Sequence, residues 1–277
     1  MSEDIYEDLD TGPFGWLPDP PEREDKPDWK FSSKLQPLLV QVHPGDVDLR
    51  AHTTETNQYS AGSCAGNATA DSVEVLNSIE GLPAVQLSRL FVYTLARNFM
   101  DMDMDGRSDI DKDEGTYIRL CFDVLSKFGI CREDVAAGKG GWPYDLSKLH
   151  ELPDLKSMRR ATGHRIHSYY RITGSGEDRV DEVISALRSN HPVVFGTAIN
   201  SAFRRVRNLD PIGPPEGATI GGHAMLVVGW LQGKGFIVKN SWGKGWGDKG
   251  FWIMTPEYMA WSGTRDLWVP TKGMMFK

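Results

Sequence analysis

The sequence predicts an α+β fold, with helices in the first half of the chain and a largely antiparallel sheet in the second. Apolar residues recur at helical spacing between about residues 63 and 128. After about residue 155, short apolar runs alternate with glycine-rich turns, which is typical of strands. Helices and strands that are segregated along the chain in this way favour an α+β arrangement.

Four helices follow from the apolar spacing and from the residues that end each pattern. Gly81 and Pro83 follow the first of them, and Gly129 ends the third. The predicted helices cover residues 63–78, 86–99, 115–128 and 178–190. The predicted strands cover residues 192–199, 223–230, 235–240 and 250–254, with a hairpin between the second and the third.

Residues 1–45 are rich in Asp, Glu and Pro, as in the segment WLPDPPEREDKPDW. Proline fixes φ and favours an extended conformation in the residue before it. This region is therefore predicted to be an extended arm over the surface, with a disordered tail as the alternative. Its apolar residues are candidate anchors: Phe14, Trp16, Leu17 and Trp29.

The bulk composition excludes several kinds of partner. The formal net charge is -7 and the pI is about 5.5, and no long Lys/Arg run is present, so neither nucleic acid nor an anionic membrane surface is expected to bind. No apolar stretch approaches the roughly 20 residues that span a bilayer. Because no secretory signal is visible, we expect a cytoplasmic or particle-associated location. The oligomeric state is left open.

The sequence contains three cysteines: Cys64, Cys121 and Cys131. A number that is both small and odd argues against a disulfide framework. Cys64 lies where a Gly/Ser turn meets the first predicted helix. Unpaired N–H groups and the helix dipole at that position stabilise a thiolate, the nucleophilic form of cysteine. The alternative is a small buried apolar residue, because free cysteine is often buried.

His223 and Asn240 lie on the two strands of the predicted hairpin. A register centred between residues 231 and 232 makes them cross-strand neighbours, whose Cβ atoms would lie roughly 5 Å apart. The amide oxygen would then accept from one imidazole nitrogen and leave the other free to act as a base. A one-residue bulge would shift this pairing, and a structural histidine is the alternative. Gln58, six residues before Cys64, is a candidate oxyanion donor.

Taken together, these residues resemble the papain family of cysteine peptidases. Three stretches carry the resemblance: Gln58 through Cys64, then GGHAMLVVGW, then KNSWGKGWGDKGFW. The family resemblance implies a two-lobed fold, with a helical lobe at about 46–155, an antiparallel β lobe at about 156–277 and a cleft between them. Residues 46–277 would then form the peptidase domain.

The resemblance also implies the chemistry. Cys64 would be the nucleophile, His223 its base, Asn240 the residue that orients the base and Gln58 an oxyanion donor. Trp242 would shield the His–Asn hydrogen bond, and the cleft would be lined by Gly115, Gly222 and Ala224. The expected partner is a polypeptide substrate, and neither a metal nor an organic cofactor is expected.

The sequence departs from the family at several positions, and two other functions stay open. Ala65 stands where the family usually has Trp, and Ala61 where many members carry a disulfide cysteine. With only about 45 residues before the domain, a long helical inhibitory propeptide is not expected. The alternatives are acyl transfer or amide hydrolysis by a Cys–His pair, and a structural or binding role on the same scaffold, for instance in a virus particle.

The segment DMDMDGRSDIDK resembles the start of a calcium loop, with Asp101, Asp103, Asp105 and Gly106 in the expected places. Its twelfth position is Lys112, which cannot serve as the bidentate ligand. An acidic solvated insertion is the favoured interpretation, and no metal site is predicted.

Overall fold

The computed structural model describes residues 14–19, 45–83, 85–101 and 106–271. The predicted α+β fold is confirmed. The helices are α1 (Cys64–Ile79), α2 (Arg89–Asn98), α3 (Ile118–Lys127), α4 (Leu155–Ala161), α5 (Gly176–Arg188) and α6 (Pro256–Ala260). The strands are β1 (Val47–Asp48), β2 (Tyr169–Ile172), β3 (Val193–Ile199), β4 (Pro211–Ile212), β5 (Gly221–Leu231), β6 (Gly235–Lys239), β7 (Phe251–Met254) and β8 (Thr264–Pro270).

The helices α1, α2, α3 and α5 lie within a few residues of their predicted positions, as do β3, β5, β6 and β7. The short helices α4 and α6 and the strands β1, β2, β4 and β8 were not predicted. The division of the domain into lobes near residue 155 stays a prediction.

The strands of the described residues form one sheet in the order β2-β8-β3-β5-β6-β7-β4, with β1 also paired to β5. All of these pairs are antiparallel except β4 with β7. The strand β5 is the longest and lies near the centre, with β3 on one side and β6 on the other. Its eight residues from His223 to Trp230 are all buried, which explains their apolar sequence.

The helix α1 is buried around almost its whole circumference, from Cys64 to Asn77. It packs against β5 of the sheet and against α2. Small residues allow this close packing: a Cβ at Gly66 would lie 2.9 Å from the Arg89 carbonyl oxygen and from the Tyr93 Cβ. The first residue of α1 is thereby held rigidly against the middle of the sheet.

A buried ion pair ties α1 to the sheet. The Lys239 ammonium on β6 contacts the Asp71 carboxylate on α1, and both side chains are 4% exposed. The ammonium also donates to Thr56 Oγ1 at 2.5 Å. Nearby, burial and the charge of Asp71 raise the pKa of Glu74 to about 8.

Over the described residues, no helix combines the length and the apolar character that a bilayer span requires.

We expect Asp71→Ala to lower the free energy of unfolding by about 3–5 kcal/mol, because it leaves the Lys239 ammonium buried without its partner. Chemical denaturation measures the change. The matched control is Asp134→Ala, which breaks the exposed Arg132–Asp134 pair and should cost about 1 kcal/mol or less. A loss no larger than that of the control would contradict the prediction.

Candidate active site

Cys64 is the first residue of α1, as the sequence predicts, and its side chain is completely buried. The backbone N–H of Ala224 on β5 donates to Cys64 Sγ at 3.4 Å. Since Ala224 follows His223 directly, the thiol lies against the strand that carries the histidine. The fold therefore brings together two residues that are 159 positions apart in the chain.

The turn before Cys64 is held by a polar network. The Tyr144 hydroxyl lies 2.6 Å from Ser63 Oγ and donates to the Gln58 carbonyl at 3.0 Å. The Asn67 amide donates to the Ser63 carbonyl at 2.9 Å. The guanidinium of Arg89 lies 4.2 Å from the centroid of the Tyr144 ring. These contacts hold the residues that precede the thiol, and no sequence pattern indicated the part of Tyr144.

His223 and Asn240 are in contact, as the sequence predicts. His223 Nε2 lies 2.7 Å from Asn240 Oδ1, which also accepts from the Ser241 backbone N–H at 2.8 Å. Because the amide oxygen is the acceptor of both bonds, Nε2 carries the proton and Nδ1 holds a lone pair. Among the described residues, His223 Nδ1 has no hydrogen-bond partner. It is the nitrogen available to act as a base.

The predicted hairpin register was wrong, although the contact forms. The strand β6 pairs Leu226 with Lys239 and Leu231 with Gly235, and the register shifts between Val227 and Gly229. Continued along the chain, this register does not place Asn240 directly opposite His223. The pair is a diagonal one, which remains within reach of long side chains on the same face of a sheet.

Aromatic rings cover the imidazole. The Trp242 ring stacks on His223 with 4.8 Å between centroids and 30° between planes. The Phe203 ring meets His223 edge-on at 6.4 Å and Trp242 at 5.6 Å. Trp242 thus lies where the resemblance predicted it. Phe203, in a turn between β3 and β4, was missed because an isolated Phe carries no signal of its position.

Gln58 is buried beside these residues and is held at both ends of its amide. Its Nε2 donates to the Ala61 carbonyl at 2.9 Å, and its Oε1 accepts from Ser241 Oγ. Ser241 therefore links the loop of Gln58 to Asn240. The part of Gln58 as an oxyanion donor stays a prediction.

The segment Phe14–Asp19 lies in a groove between β5 and the loops that precede α1 and α3. The N–H groups of Gly15 and Trp16 donate to the Gly222 carbonyl at 3.2 Å, and Leu17 donates to Thr116. Phe14 packs against His223 and Trp242, and Trp16 is only 6% exposed. The three predicted anchors Phe14, Trp16 and Leu17 are thus in the groove and not merely on the surface. Trp29 lies outside the described residues.

Gly115 was predicted to line the cleft, and the backbone hydrogen bonds beside it are made by its neighbour Thr116. Thr116 donates to the Gly15 carbonyl at 2.8 Å and accepts from Leu17. Gly115 contributes space instead, because a Cβ at this position would lie 2.2 Å from the Gly15 carbonyl oxygen. Gly222 also contributes space, because a Cβ at this position would lie 2.5 Å from the Trp16 carbonyl oxygen.

In the covered groove the thiol and the imidazole are both neutral. Burial raises the pKa of Cys64 to about 12, against the opposite influence of the backbone N–H groups of Ala224 and Gly15. Burial also lowers the pKa of His223 to about 4. The N–H groups at the helix terminus do lower the pKa of Cys64, as expected, but in this state the loss of water outweighs them.

The structure shows no group of His, Cys, Asp or Glu side chains, among the residues it describes, that could hold a metal ion. The candidate calcium loop is only partly covered: Asp103 and Asp105 lie outside the described residues. Lys112 forms an ion pair with Asp109 at 2.9 Å.

A thiol held against a histidine-bearing strand in an α+β fold is the arrangement of the cysteine peptidase class. A sequence model of the family described as papain family cysteine protease matches residues 43–266, and the chain belongs to that family. This confirms the resemblance that the sequence motifs indicated.

Relatives and solved structures agree with this assignment. The chain is 29% identical to an uncharacterized peptidase C1-like protein of Acanthamoeba polyphaga mimivirus, over 89% of this chain and 82% of that one. It is 28% identical to cathepsin S of Rattus norvegicus, over 80% of this chain and 64% of that one. The crystal structure of xylellain, a cysteine protease from Xylella fastidiosa, superposes with a TM-score of 0.74 at 26% identity, over 94% and 96% of the two chains.

Gly15→Ala is expected to expel Phe14–Asp19 from the groove, because a Cβ at Gly15 would lie 1.7 Å from the Gly62 carbonyl oxygen. The substitution removes no group from the groove. Cys64 should then react with iodoacetamide at least tenfold faster, as followed by mass spectrometry of the full-length protein.

The matched control is Gly213→Ala, where an added Cβ meets nothing within 4 Å. It should leave the alkylation rate of Cys64 unchanged. Equal rates in the wild type, Gly15→Ala and Gly213→Ala would show that the segment does not restrict access to the thiol.

The lowered pKa of His223 makes stability depend on pH. Between pH 6.5 and about 4, the unfolded chain binds a proton at this residue that the folded chain does not. The free energy of unfolding should therefore fall as pH falls through this window, by up to about 3 kcal/mol. His223→Gln should remove this part of the loss, as measured by denaturation at pH 7 and at pH 4.5.

The exposed residue His150 provides the control for this measurement. His150→Gln should leave the pH dependence of the wild type intact. An identical dependence in the wild type and in His223→Gln would contradict the burial of a neutral imidazole.

Proposed function

We propose that this protein is a cysteine endopeptidase in which Cys64 is the nucleophile and His223 its base. The single observation that carries the proposal is the contact between the first turn of α1 and β5, where Ala224 donates to Cys64 Sγ and His223 contacts Asn240. It unites a helix-terminal thiol with an imidazole whose Nδ1 is available. Membership of the papain family supports the same chemistry.

The proposed reaction begins when the groove is uncovered and water enters. Both groups then regain solvation, and the Cys64 proton passes to His223 Nδ1 to give a thiolate and an imidazolium. The thiolate attacks the peptide carbonyl carbon, and the carbonyl π electrons move to the oxygen. The oxyanion would accept from the backbone N–H of Cys64 and from the Gln58 amide.

Collapse of this intermediate breaks the C–N bond, and His223 gives its proton to the leaving amine. A thioester to Cys64 remains. Water then attacks the thioester carbonyl, His223 takes a proton from that water, and the thiol is released with the proton returned to sulfur. Asn240 keeps the imidazole oriented in each step through its bond to Nε2, and Trp242 shields that bond from water.

The course of Phe14–Asp19 supports an extended polypeptide substrate and an internal cleavage site. This segment passes the thiol, with Phe14 beside Trp242 on one side and Trp16 beyond Gly222 on the other. A groove that holds chain on both sides of the nucleophile suits a bond inside a polypeptide. Gly115, Gly222 and Ala224 would line it with little side-chain bulk.

The segment makes backbone hydrogen bonds to both walls of the groove, from Gly15 to Gly222 and from Leu17 to Thr116. The covered groove also fits the alternative of a binding protein on a papain-like scaffold, in which the cleft stays filled. Cleavage of peptide bonds by the uncovered protein distinguishes a peptidase from a binding protein.

The experiment compares full-length Gly15→Ala with Gly15→Ala/Cys64→Ala on a denatured protein substrate. The first should cleave internal peptide bonds, and the second should lose at least a thousandfold in kcat/KM because no nucleophile remains. Gly15→Ala/Cys131→Ala is the control, since Cys131 is a buried cysteine outside the groove and should leave cleavage unchanged. Cleavage that persists without Cys64, or that is absent from the uncovered and folded protein, would overturn the proposal.

A further inference from the structure

The short helix α4 carries its cations on the side that faces water. Ser157 and Ala161 form its buried side. At 3.6 residues per turn, Leu155, Lys156 and Arg159 lie on the opposite side, and all three are exposed. Among the described residues, nothing covers this outer face of α4.

Cations from three stretches of the chain gather around this face. Lys139 lies in the loop before α4, which is held against the helix because the Ser157 hydroxyl donates to the Gly141 carbonyl at 2.6 Å. After α4 the chain turns back toward the end of α3, where the Ile130 N–H donates to the His164 carbonyl at 3.1 Å. The exposed cations of this region, which we call the α4 patch, are Lys139, Lys156, Arg159, Arg160 and Arg165.

Over the residues that the structure describes, no carboxylate forms an ion pair with the α4 patch. The acids nearby in the sequence have other partners. Glu151 pairs with Lys148 at 3.3 Å, and Asp134 pairs with Arg132. Asp154 accepts backbone N–H groups in the first turn of α4. On a chain whose net charge is -7, the α4 patch is therefore a local positive surface, which attracts anions.

Two exposed leucines stand among these cations. Leu155 is 81% exposed, the largest value among the big apolar side chains that the structure describes, and Leu152, three residues earlier, is 52% exposed. Cations that surround protruding apolar side chains are typical of a surface that contacts a bilayer, where the cations bind anionic headgroups and the apolar groups enter the acyl-chain boundary. A protein partner would need a pocket for each leucine, whereas a lipid layer accepts a leucine at any position.

We propose that the α4 patch, together with Leu152 and Leu155, docks the protein on an anionic phospholipid surface. The net charge of -7 argued against such a surface, but net charge is a sum over the whole chain. Electrostatic attraction in salt acts over a Debye length of about 8 Å, so the local cations decide it. The sequence shows no long Lys/Arg run because the fold assembles the patch from separate stretches.

The α4 patch and the groove lie at opposite ends of α3. Thr116, which pairs with Phe14–Asp19, comes shortly before α3 begins. Gly129 comes just after α3 ends, and a Cβ there would lie 2.0 Å from the Ala161 carbonyl oxygen at the end of α4. Since α3 has 10 residues, it is about 15 Å long. Docking through α4 would therefore hold the groove near the lipid surface without using any of the residues that line it.

The first test is co-sedimentation of the full-length protein with vesicles of phosphatidylcholine that contain about one third phosphatidylserine, and with phosphatidylcholine alone. Binding is expected only to the first and should weaken as salt rises from about 0.1 M to about 0.5 M. Arg159→Glu/Arg160→Glu should weaken it at least thirtyfold, that is, by about thirtyfold or more, because two attractive charges become repulsive. The matched control Lys234→Glu/Lys249→Glu reverses two exposed lysines outside the α4 patch and should change binding by about twofold or less.

The second test asks whether the leucines enter the lipid. Leu155→Cys is labelled with an environment-sensitive dye, which is selective because the native cysteines are buried. The emission should shift to shorter wavelength when the phosphatidylserine vesicles are added, but not when polyglutamate is added. Ile220→Cys, at a position that is 41% exposed and far along the chain from the α4 patch, is the control and should show no shift. Leu155→Ser should weaken vesicle binding by about fivefold or more.

The absence of vesicle binding, binding that ignores Arg159→Glu/Arg160→Glu, or a dye at position 155 that shows no shift would each overturn the inference. Binding of polyglutamate without binding of vesicles would identify an acidic polypeptide as the occupant of the α4 patch and would overturn it as well. Neither test requires the cleavage of a peptide bond, so the outcome does not depend on the proposed function.

Discussion

The exclusion of water from one groove governs the chemistry of this protein. Cys64 and His223 come from opposite sides of that groove, and both are completely buried while Phe14–Asp19 lies over them. Desolvation opposes charge on either group, so a thiol that faces helix N–H groups still has a raised pKa, and the imidazole beside it a lowered one. The covered state therefore holds a neutral pair, and we propose that uncovering the groove allows that pair to ionise.

The central strand β5 makes this arrangement precise. It carries Gly222, His223 and Ala224 in succession, and each of them meets a different partner: the chain segment in the groove, Asn240, and the thiol. Neighbouring strands on both sides hold β5 in place, and α1 packs against it. Ser241 also stabilises this arrangement, because its N–H donates to Asn240 Oδ1 while its hydroxyl donates to Gln58 Oε1. One strand thus positions three contacts of the site through three adjacent residues.

Much of the fold could be predicted because its patterns are local. The spacing of small and apolar residues after Cys64 specified α1, and the run from His223 to Trp230 specified β5. The contact of His223 with Asn240 was predicted although its register was wrong, because the hairpin turns at residues 232–234 and pairs Leu231 with Gly235, further along the chain than the predicted centre. Diagonal pairs tolerate such a shift when the side chains are long enough.

The features that were missed are those that depend on distant parts of the chain. Nothing in the residues near Asp266 indicates that β8 forms, since its strand is stabilised by pairing with β2 and β3. The position of Trp16 depends on space left by Gly196 and Gly222, which are about 200 residues away in the sequence. The position of Cys64 at a helix terminus was predicted from the sequence. Its raised pKa was not predicted, because burial by the segment leaves no signal in the residues near Cys64.

The most direct test of a thiolate–imidazolium pair is the ultraviolet absorbance of thiolate in full-length Gly15→Ala, titrated with pH and compared with the same protein alkylated at Cys64. The account predicts a thiolate band that is present at neutral pH and that His223→Ala abolishes there. A band that rises only near the ordinary cysteine pKa of about 8.5, with or without His223, would show that the two groups do not form the pair.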